Sequence, residues 1–271
     1  MTQVWVNGVS AKEIDPLDRG LAYGDGLFAT MRIAKGEVRF LAEHFARLTQ
    51  GAKRLGFTWA ASQALTEQLT QLALTQGDAC VKLLLSRGVG GRGYGAPNPC
   101  LVNEVVSLSG LPPHYSLWQR EGVSLSLSDI KLANQPRLAG IKHLNRLEQV
   151  LIKSVELPKG FDDWLVLDNE SHVIESSMAN LFFINNHTVS TPVISHCGVA
   201  GMMREQLIYA LMDLGYNLDI KHIHYNDLAQ FDHCFMTNSL LGLVDINRID
   251  TLSYSRSSFS DTLRQVLHLT L

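Results

Sequence analysis

The chain has 271 residues, of which 46% are hydrophobic and 18% are charged, and its formal net charge is -3. This composition indicates a folded protein, because disordered chains combine low hydrophobicity with high charge. The small negative charge provides no basic field for nucleic acid, so we expect no nucleic-acid partner. The length allows one large domain or two modest ones.

No membrane span or secretory signal is visible in the sequence. Its apolar runs are far shorter than the roughly 18 residues that indicate a span, and residues 1–8 alternate as in a strand. The cysteines lack the paired spacing of a disulfide framework or a zinc site: Cys80, Cys100, Cys197 and Cys234. We expect a soluble, cytoplasmic protein with reduced thiols and no membrane partner.

His222 and His224 flank a single isoleucine. Alternation along a strand would place both imidazoles on one face, where they could bind a metal or line a solvated surface. No third ligand is indicated nearby, so we expect no metal site.

In the first 111 residues, short strands precede two helices and a pair of longer strands. Apolar residues three and four positions apart predict helices over 41–55 and 62–76. Strands are predicted over 81–87 and 101–108, on either side of a glycine-rich loop at 88–95. This pattern predicts an N-terminal α/β domain.

A proline pair, Pro112-Pro113, cannot continue a helix and favours extended chain, so residues 112–119 are predicted to be a linker. Residues 120–271 are predicted to form a second, larger domain of mixed strands and helices. Its predicted strands lie near 123–128, 163–168, 172–176, 180–184 and 233–237, and its predicted helices near 143–155, 201–214 and 258–269. The fold class is therefore α/β (α+β) with two domains, and we expect the site in the cleft between them.

Lys142 is the first candidate for chemistry. It follows a glycine and opens the predicted helix 143–155, and the positive end of the helix dipole would lower its pKa. A neutral amine in a partly buried pocket can attack an aldehyde to form a Schiff base. The alternative is a solvent-exposed surface lysine.

Glu175 is enclosed by apolar strand residues in the segment 173–183. A buried carboxylate needs a partner, and a protonated pyridine nitrogen would serve as the cation. A strand glutamate that points to solvent is the alternative.

Several other segments could bind an anion. Gly198 to Gly201 leads into a predicted helix, whose N-terminal backbone amides suit a phosphate, and residues 237–239 form a polar turn. Arg47 could be a phosphate clamp or a solvated helix arginine. The loop at 88–95 is either a mobile hairpin loop or a loop that presents Arg92 and Tyr94 to an anionic substrate. This loop lacks the Lys-Ser/Thr ending of a P-loop.

In this order along the chain, the segments resemble the fold-type IV pyridoxal-phosphate enzymes, the family of D-amino-acid and branched-chain aminotransferases and of aminodeoxychorismate lyase. The resemblance covers nearly the whole chain, and each motif alone is weak. The segments that carry it are Arg19 to Gly26, Glu43 to Leu48, Ile141-Lys142, Glu175 to Asn180, Gly198 to Gly201 and Thr237 to Ser239.

The resemblance implies a D-amino-acid-aminotransferase-like fold, with a small N-terminal α/β domain and a larger, barrel-like C-terminal domain. It implies pyridoxal 5'-phosphate as the cofactor, bound covalently by Lys142. Glu175 would pair with the pyridine nitrogen and Arg47 would hold the phosphate. The phosphate site would be completed by the following residues: Val199, Ala200, Asn238 and Ser239. Family members of this type are usually homodimers, so we also expect a homodimer.

Within the family, residues 139–151 and the loop at 88–95 look most like the lyase members. They imply elimination, in which 4-amino-4-deoxychorismate yields 4-aminobenzoate and pyruvate for folate synthesis. Thr30 would then lie near the pocket as a catalytic and substrate-binding residue, with Arg92 and Tyr94 on the substrate. The alternative is an aminotransferase of the same fold that acts on D- or branched-chain amino acids. A non-catalytic α/β binding protein is the alternative from another class.

Overall fold

The computed structural model describes residues 2–11 and 13–271. The chain forms two compact units, which are Met1–Pro112 with Ile141–Asn145, and Pro113–Gly140 with Arg146–Leu271. The first boundary lies one residue beyond the end predicted for the N-terminal domain. The second unit is not a continuous segment, because residues 141–145 leave it and pack in the first unit.

The first unit contains an antiparallel sheet of six strands and three helices. Its elements are β1 Gln3–Val6, β2 Val9–Ser10, α1 Arg19–Tyr23, β3 Gly26–Ala34, β4 Glu37–Val38, α2 Leu41–Arg54, α3 Gln63–Thr75, β5 Ala79–Ser86 and β6 Asn103–Gly110. The strand order is β2-β1-β6-β5-β3-β4.

Alternation along β3 determines what each face of this sheet contacts. Leu27, Ala29 and Met31 are buried in a core that also contains Leu48 of α2 and Leu69 of α3. The residues between them on β3 therefore point away from that core, as period-two alternation requires. The predicted helices 41–55 and 62–76 are confirmed to within one residue at each end.

Residues 141–145 are bound to the first unit by both side chain and backbone. Ile141 is 4% exposed and belongs to the core beneath the sheet. The N–H of Phe28 donates to the carbonyl of Lys142 at 3.0 Å, and the N–H of Leu144 donates to the carbonyl of Gly26 at 3.0 Å. Lys142 is thus held in extended backbone beside β3.

The second unit is built on a mixed sheet. Its elements are α4 Tyr115–Glu121, β7 Val123–Leu127, α5 Leu147–Ser154, β8 Asp163–Leu167, β9 Val173–Ser176, β10 Asn180–Asn185, β11 Thr188–Pro192, α6 Met202–Asp213, β12 Asn217–Lys221, a 3-10 helix Tyr225–Gln230, β13 His233–Asn238, β14 Gly242–Ile249, β15 Leu252–Ser253 and α7 Ser258–Val266. The strand order is β12-β11-β10-β13-β14-β7-β8-β9, and β15 pairs with β14.

A pairing between β9 and β10 closes part of this sheet into a ring of six strands: β9, β10, β13, β14, β7 and β8. The closing pair consists of Glu175 and Asn180. Apolar side chains such as Leu181, Phe183 and Cys234 fill the core. This confirms the predicted mixed α/β fold with a barrel-like C-terminal part.

Two predictions about local structure were wrong. The helix expected over 143–155 begins at Leu147, because residues 142–144 pair with β3. The predicted linker 112–119 overlaps helix α4, which begins two residues after Pro113, where proline no longer blocks helical hydrogen bonding. No helix within residues 2–11 and 13–271 is long and apolar enough to cross a membrane.

Candidate active site

Lys142 faces an aromatic side chain in the first unit. Its Nζ lies 4.7 Å from the ring centroid of Phe28, and the Nζ of Lys82 lies at the same distance from that ring. Two cations on one aromatic ring are attracted to its electron-rich faces, and this fixes the direction of each amine. Thr30 lies two residues along β3, on the same face, and is the strand partner of Lys82. The structure therefore groups Lys142, Phe28 and Thr30.

The expected helix dipole does not act on Lys142, and that prediction was wrong. Helix α5 begins five residues later, at Leu147, and the dipole's influence falls off within one turn. The lysine amine instead lies beside the Phe28 ring.

His44 is a buried histidine in the first turn of α2 that sequence reasoning did not single out. It is 0% exposed, and neither ring nitrogen has a hydrogen-bond partner within the described residues. Burial, followed by the positive charges of Arg47 and Lys142, lowers the pKa of His44 well below its ordinary value. A neutral imidazole thus lies near two cations, and its buried nitrogens can hydrogen-bond a ligand.

Arg47 follows His44 by three residues, which places the two side chains on one face of α2. Arg47 is partly buried, and its charge reaches His44. The structure therefore groups Arg47 with His44 and Lys142, as an anion site would require. In the sequence, the three-residue spacing from His44 to Arg47 is the pattern that predicts a shared helix face.

Glu175 is buried in the second unit, 6% exposed, and its Oε2 accepts a hydrogen bond from the N–H of Val199 at 2.9 Å. Its strand partner Asn180 binds the same loop twice: Nδ2 donates to the carbonyl of Val199 at 2.8 Å, and Oδ1 accepts from the N–H of Gly201 at 3.0 Å. A Cβ on Gly201 would lie 2.2 Å from Asn180 Oδ1, so only glycine allows this approach. The residues that close the ring of strands therefore also position the 198–201 loop.

The N–H groups of Val199 and Ala200 are already used inside the unit. Val199 donates to Glu175, and Ala200 donates to the carbonyl of Gly140 at 3.2 Å. Helix α6 begins at Met202, so the N–H groups of Met202 and Met203 have no acceptor within the helix. An anion at this helix terminus would meet these two amides, two to three residues beyond the predicted pair. In the sequence, the predicted helix start near residue 201 is the pattern that indicates these two amides.

Asn238 and Ser239 lie in the turn after β13. The Asn238 side chain is occupied within the unit, since Oδ1 accepts from the N–H groups of Leu240 and Leu241 at 2.9 Å and Nδ2 donates to the carbonyl of Met178 at 3.2 Å. Asn238 therefore shapes the turn, and Ser239, which is partly exposed, is left as the hydroxyl donor beside it.

Arg92 and Tyr94 lie on the exposed glycine-rich loop of the first unit, and the Tyr94 side chain is 88% exposed. The backbone of this loop is bound by the buried side chain of Arg19. The loop is therefore fixed at its backbone while these two side chains face outward.

Three histidines of the second unit have their rings near one another. The ring of His172 lies 4.6 Å from that of His222 and 6.1 Å from that of His224. Within the described part of the chain, no group of three or more His, Cys, Asp or Glu side chains is arranged to hold a metal.

The chain thus combines a two-unit α/β fold with a lysine amine beside an aromatic ring and a buried carboxylate. The model of the family "Amino-transferase class IV" matches residues 26–249, and the chain belongs to this family.

Three relatives illustrate where the chain lies within the family. It is 36% identical to an aminodeoxychorismate lyase of Vibrio harveyi, with 90% of each chain covered. It is 28% identical to a putative branched-chain-amino-acid aminotransferase of Methanocaldococcus jannaschii, over 92% of this chain and 88% of that one. The crystal structure of 4-amino-4-deoxychorismate lyase from Pseudomonas aeruginosa superimposes with a TM-score of 0.92 at 35% identity, over 99% of this chain and 100% of that one.

Proposed function

We propose that this protein is an aminodeoxychorismate lyase that uses pyridoxal 5'-phosphate to convert 4-amino-4-deoxychorismate to 4-aminobenzoate and pyruvate. The observation that carries the proposal is the similarity to two lyases, at 36% and 35% identity, over nearly the entire chain. The aminotransferase relative is less similar, at 28%. The product would enter folate synthesis.

The residues of this chain fit the cofactor. The buried His44 has two ring nitrogens without partners in the described structure, near the cations Arg47 and Lys142, and such a group is satisfied by a bound polar ligand. The first N–H groups of α6, which have no acceptor within the helix, suit a phosphate. We assign the covalent bond to Lys142 and the pyridine nitrogen to Glu175.

The phosphate would be held by a cation and by neutral donors. Arg47 supplies the cation, and the N–H groups of Met202 and Met203 supply backbone donors at a positive helix end. Ser239 supplies a hydroxyl. Val199 and Ala200 would support the phosphate site through the loop that leads into α6, since their N–H groups donate to Glu175 and to Gly140.

When bound, the cofactor would supply a carbon that can bond the substrate amine in place of Lys142 and a ring that can accept an electron pair. Lys142 Nζ would remove the proton from the amine-bearing carbon, the C–O bond to the enolpyruvyl group would break as the carbon ring becomes aromatic, and the lysine ammonium would return a proton to the three-carbon unit, which leaves as pyruvate. The Phe28 ring orients Nζ for both transfers. Glu175 would pair with the protonated ring nitrogen.

Substrate carboxylates require cationic or hydroxyl partners. Arg92 is assigned to a substrate carboxylate, because a guanidinium binds a carboxylate through two parallel hydrogen bonds. Tyr94 lies on the same exposed loop, and Thr30 lies on the β3 face that also carries Phe28. We assign both to the substrate, with Thr30 close to the reacting atoms.

The alternative is a transaminase of the same family, acting on D- or branched-chain amino acids. It would use Lys142 and Glu175 in the same way but would exchange the amino group with a keto acid. The similarity to a putative branched-chain aminotransferase supports this alternative less strongly than the lyases support elimination.

The test is an assay of 4-aminobenzoate formed from 4-amino-4-deoxychorismate. Wild-type protein should form it, and Lys142→Ala should lose about 10⁴-fold or more in turnover, because it removes both the covalent anchor and the proton carrier. Lys142→Arg keeps the charge as a control and should be equally inactive. Rapid keto-acid formation from D-alanine and 2-oxoglutarate, without 4-aminobenzoate, would establish the transaminase instead.

We further propose a cytoplasmic homodimer. Helix α5 exposes three apolar side chains, Leu147, Val150 and Leu151, and an exposed apolar face of this kind suits a protein interface. The cysteines of the described residues are free thiols, as in a reducing compartment. Light scattering of the purified protein should give twice the mass of the 30.0 kDa chain.

A further inference from the structure

The buried side chain of Arg19 binds the glycine-rich loop through three consecutive backbone carbonyls. One terminal nitrogen donates to Gly93 at 3.2 Å and to Gly95 at 3.0 Å, and the other donates to Tyr94 at 3.0 Å. Its Nε donates to the carboxylate of Asp25 at 2.8 Å. All of the guanidinium nitrogens are therefore engaged, and three of these contacts fix the loop.

The backbone of Arg19 holds the other end of the same loop. Its N–H donates to the carbonyl of Gly88 at 2.9 Å, and the preceding Asp18 forms an antiparallel bridge with Val89. Asp18 is itself fully buried and accepts hydrogen bonds from Ser86 and Asn103. Arg19 thus binds the loop at both ends, and its own backbone is fixed by the buried Asp18 beside it.

The loop is shaped to pack on this arginine. A Cβ on Gly90 would lie 2.8 Å from Cδ of Arg19, whereas a Cβ on Gly91 would have no atom within 4 Å. The Arg19 guanidinium also lies 4.9 Å from the ring centroid of Tyr23, and that ring meets Tyr94 edge-on at 5.5 Å. Backbone, glycine and aromatic contacts all converge on Arg19.

Arg87 also binds the Asp25 carboxylate, but its other contacts lie elsewhere. Its Nε donates to Asp25 at 2.8 Å, and its terminal nitrogens donate to the carbonyls of Leu55 and Gly56 at the end of α2. Arg87 therefore stabilises the helix end, and among this pair of arginines Arg19 is the one that reaches residues 93–95.

We propose that Arg19 is a positioning residue for substrate binding: it fixes residues 88–95 so that Arg92 and Tyr94 are held toward the substrate. The proposal rests on the proposed function, because that function assigns Arg92 and Tyr94 to the substrate. A flexible loop would have to be ordered each time substrate binds, which weakens binding, whereas a loop already fixed avoids that loss.

The decisive variant is Arg19→Lys, because a lysine keeps the charge toward Asp25 but has one head group and cannot reach all three carbonyls. Trypsin cleavage at the Arg92–Gly93 bond should accelerate about tenfold, because cleavage needs a loop that can move freely. KM for 4-amino-4-deoxychorismate should rise about tenfold, with kcat within about threefold, because lost loop order affects substrate binding. Cofactor absorbance and cofactor affinity should stay at wild-type values.

Two matched controls separate the loop effect from general destabilisation. Arg87→Lys also keeps a charge toward Asp25 but loses donors to the carbonyls of Leu55 and Gly56, so it should lower thermal stability without faster cleavage at Arg92–Gly93. Gly90→Ala should reproduce the Arg19→Lys result by displacing the arginine, whereas Gly91→Ala should behave as wild type.

If trypsin cleaves the Arg19→Lys variant at Arg92–Gly93 at the same rate as the wild type, Arg19 does not anchor the loop. Faster cleavage with an unchanged KM would overturn its role in substrate binding. The cleavage experiment needs no turnover, so its result stands apart from the proposed reaction. If wild-type protein forms no 4-aminobenzoate at all, the proposed function fails while the cleavage result still decides whether Arg19 orders the loop.

Discussion

In the first unit, Lys142 and Lys82 both face the Phe28 ring, whereas in the second unit Glu175 accepts a backbone hydrogen bond and also faces the charge of Arg146. Phe28 lies 4.7 Å from two lysine amines, and His44 is buried without a hydrogen-bond partner in the described structure. Glu175 and Asn180, by contrast, are hydrogen-bonded to the 198–201 loop.

This difference indicates what each region contributes. Buried polar groups in proteins are nearly always satisfied, so a loop that is hydrogen-bonded by its own fold keeps its geometry whether or not a ligand is present. An imidazole with unused nitrogens has hydrogen-bonding capacity left for a ligand. The Glu175 region, here called the cradle and consisting of Glu175, Asn180, the 198–201 loop and the first turn of α6, is therefore hydrogen-bonded within its own unit, whereas the Lys142 region keeps unused hydrogen-bonding capacity at His44.

Glu175→Gln tests whether the cradle acts through charge or only through shape. A glutamine oxygen can still accept the Val199 N–H, so the loop should remain while the negative charge is lost. Turnover of 4-amino-4-deoxychorismate should fall by roughly 10²-fold or more, because electrostatic stabilisation of developing charge is lost. Steady-state kinetics at saturating cofactor measures this.

Asn180→Ala is the control for Glu175→Gln, since it loosens the same loop without changing the charge. It should weaken cofactor affinity while turnover at saturating cofactor stays within a few-fold of wild type. If the two variants lose turnover equally, Glu175 acts only as a support for the loop.

The cradle could be predicted from the sequence in outline, because its parts are local. The apolar runs around Glu175 and Asn180 predict the strands that carry them, and the glycines at 198 and 201 predict a loop before a helix. The hydrogen bonds that the N–H groups of Val199 and Ala200 donate to Glu175 and Gly140 could not be predicted, because such contacts are not visible in a local pattern.

The environment of Lys142 could not be predicted in the same way. The apolar spacing of Leu144 and Leu147 predicts that the helix includes both residues. Residues 142–144 instead pair with β3, which lies more than a hundred positions earlier in the chain. Long-range pairing overrode local propensity there. The contact between Arg19 and residues 93–95 has the same character, and the burial of His44 depends on tertiary packing.

Met202→Pro tests the helix amides of the cradle. Proline removes one N–H at the first helical position, where its fixed φ is tolerated, and Gly201 with ψ of 141° already has the extended backbone required before proline. Affinity for pyridoxal 5'-phosphate should fall about tenfold relative to Met202→Ala, because a hydrogen bond to a charged group is lost.

Met202→Ala is the proper reference for that measurement, because both variants remove the same buried side chain. Titration of each apoprotein with the cofactor, followed by absorbance, compares them. Equal affinities for the two variants would mean that the phosphate does not contact the Met202 amide.

Of the predicted effects, the one at His44 is the smallest, and it tests the first region directly. Burial and the charges of Arg47 and Lys142 lower its pKa well below 6.5, so the folded protein keeps it neutral while the unfolded chain takes up a proton as pH falls below that value. The stability linked to His44 is therefore complete above about pH 6.5 and declines at lower pH, by at most about 1.4 kcal/mol per pH unit.

Thermal unfolding of the apoprotein at pH 7.5 and 5.5 measures this, with His44→Leu as the variant that cannot take up the proton. Wild type should lose about 1 kcal/mol more than His44→Leu over this interval, or about 3 °C in melting temperature. His268→Asn, at an exposed position with φ of 52° that asparagine tolerates, controls for the loss of one histidine. A pH dependence in His44→Leu equal to that of wild type would show that His44 is not held neutral, and the contrast between the two regions would disappear.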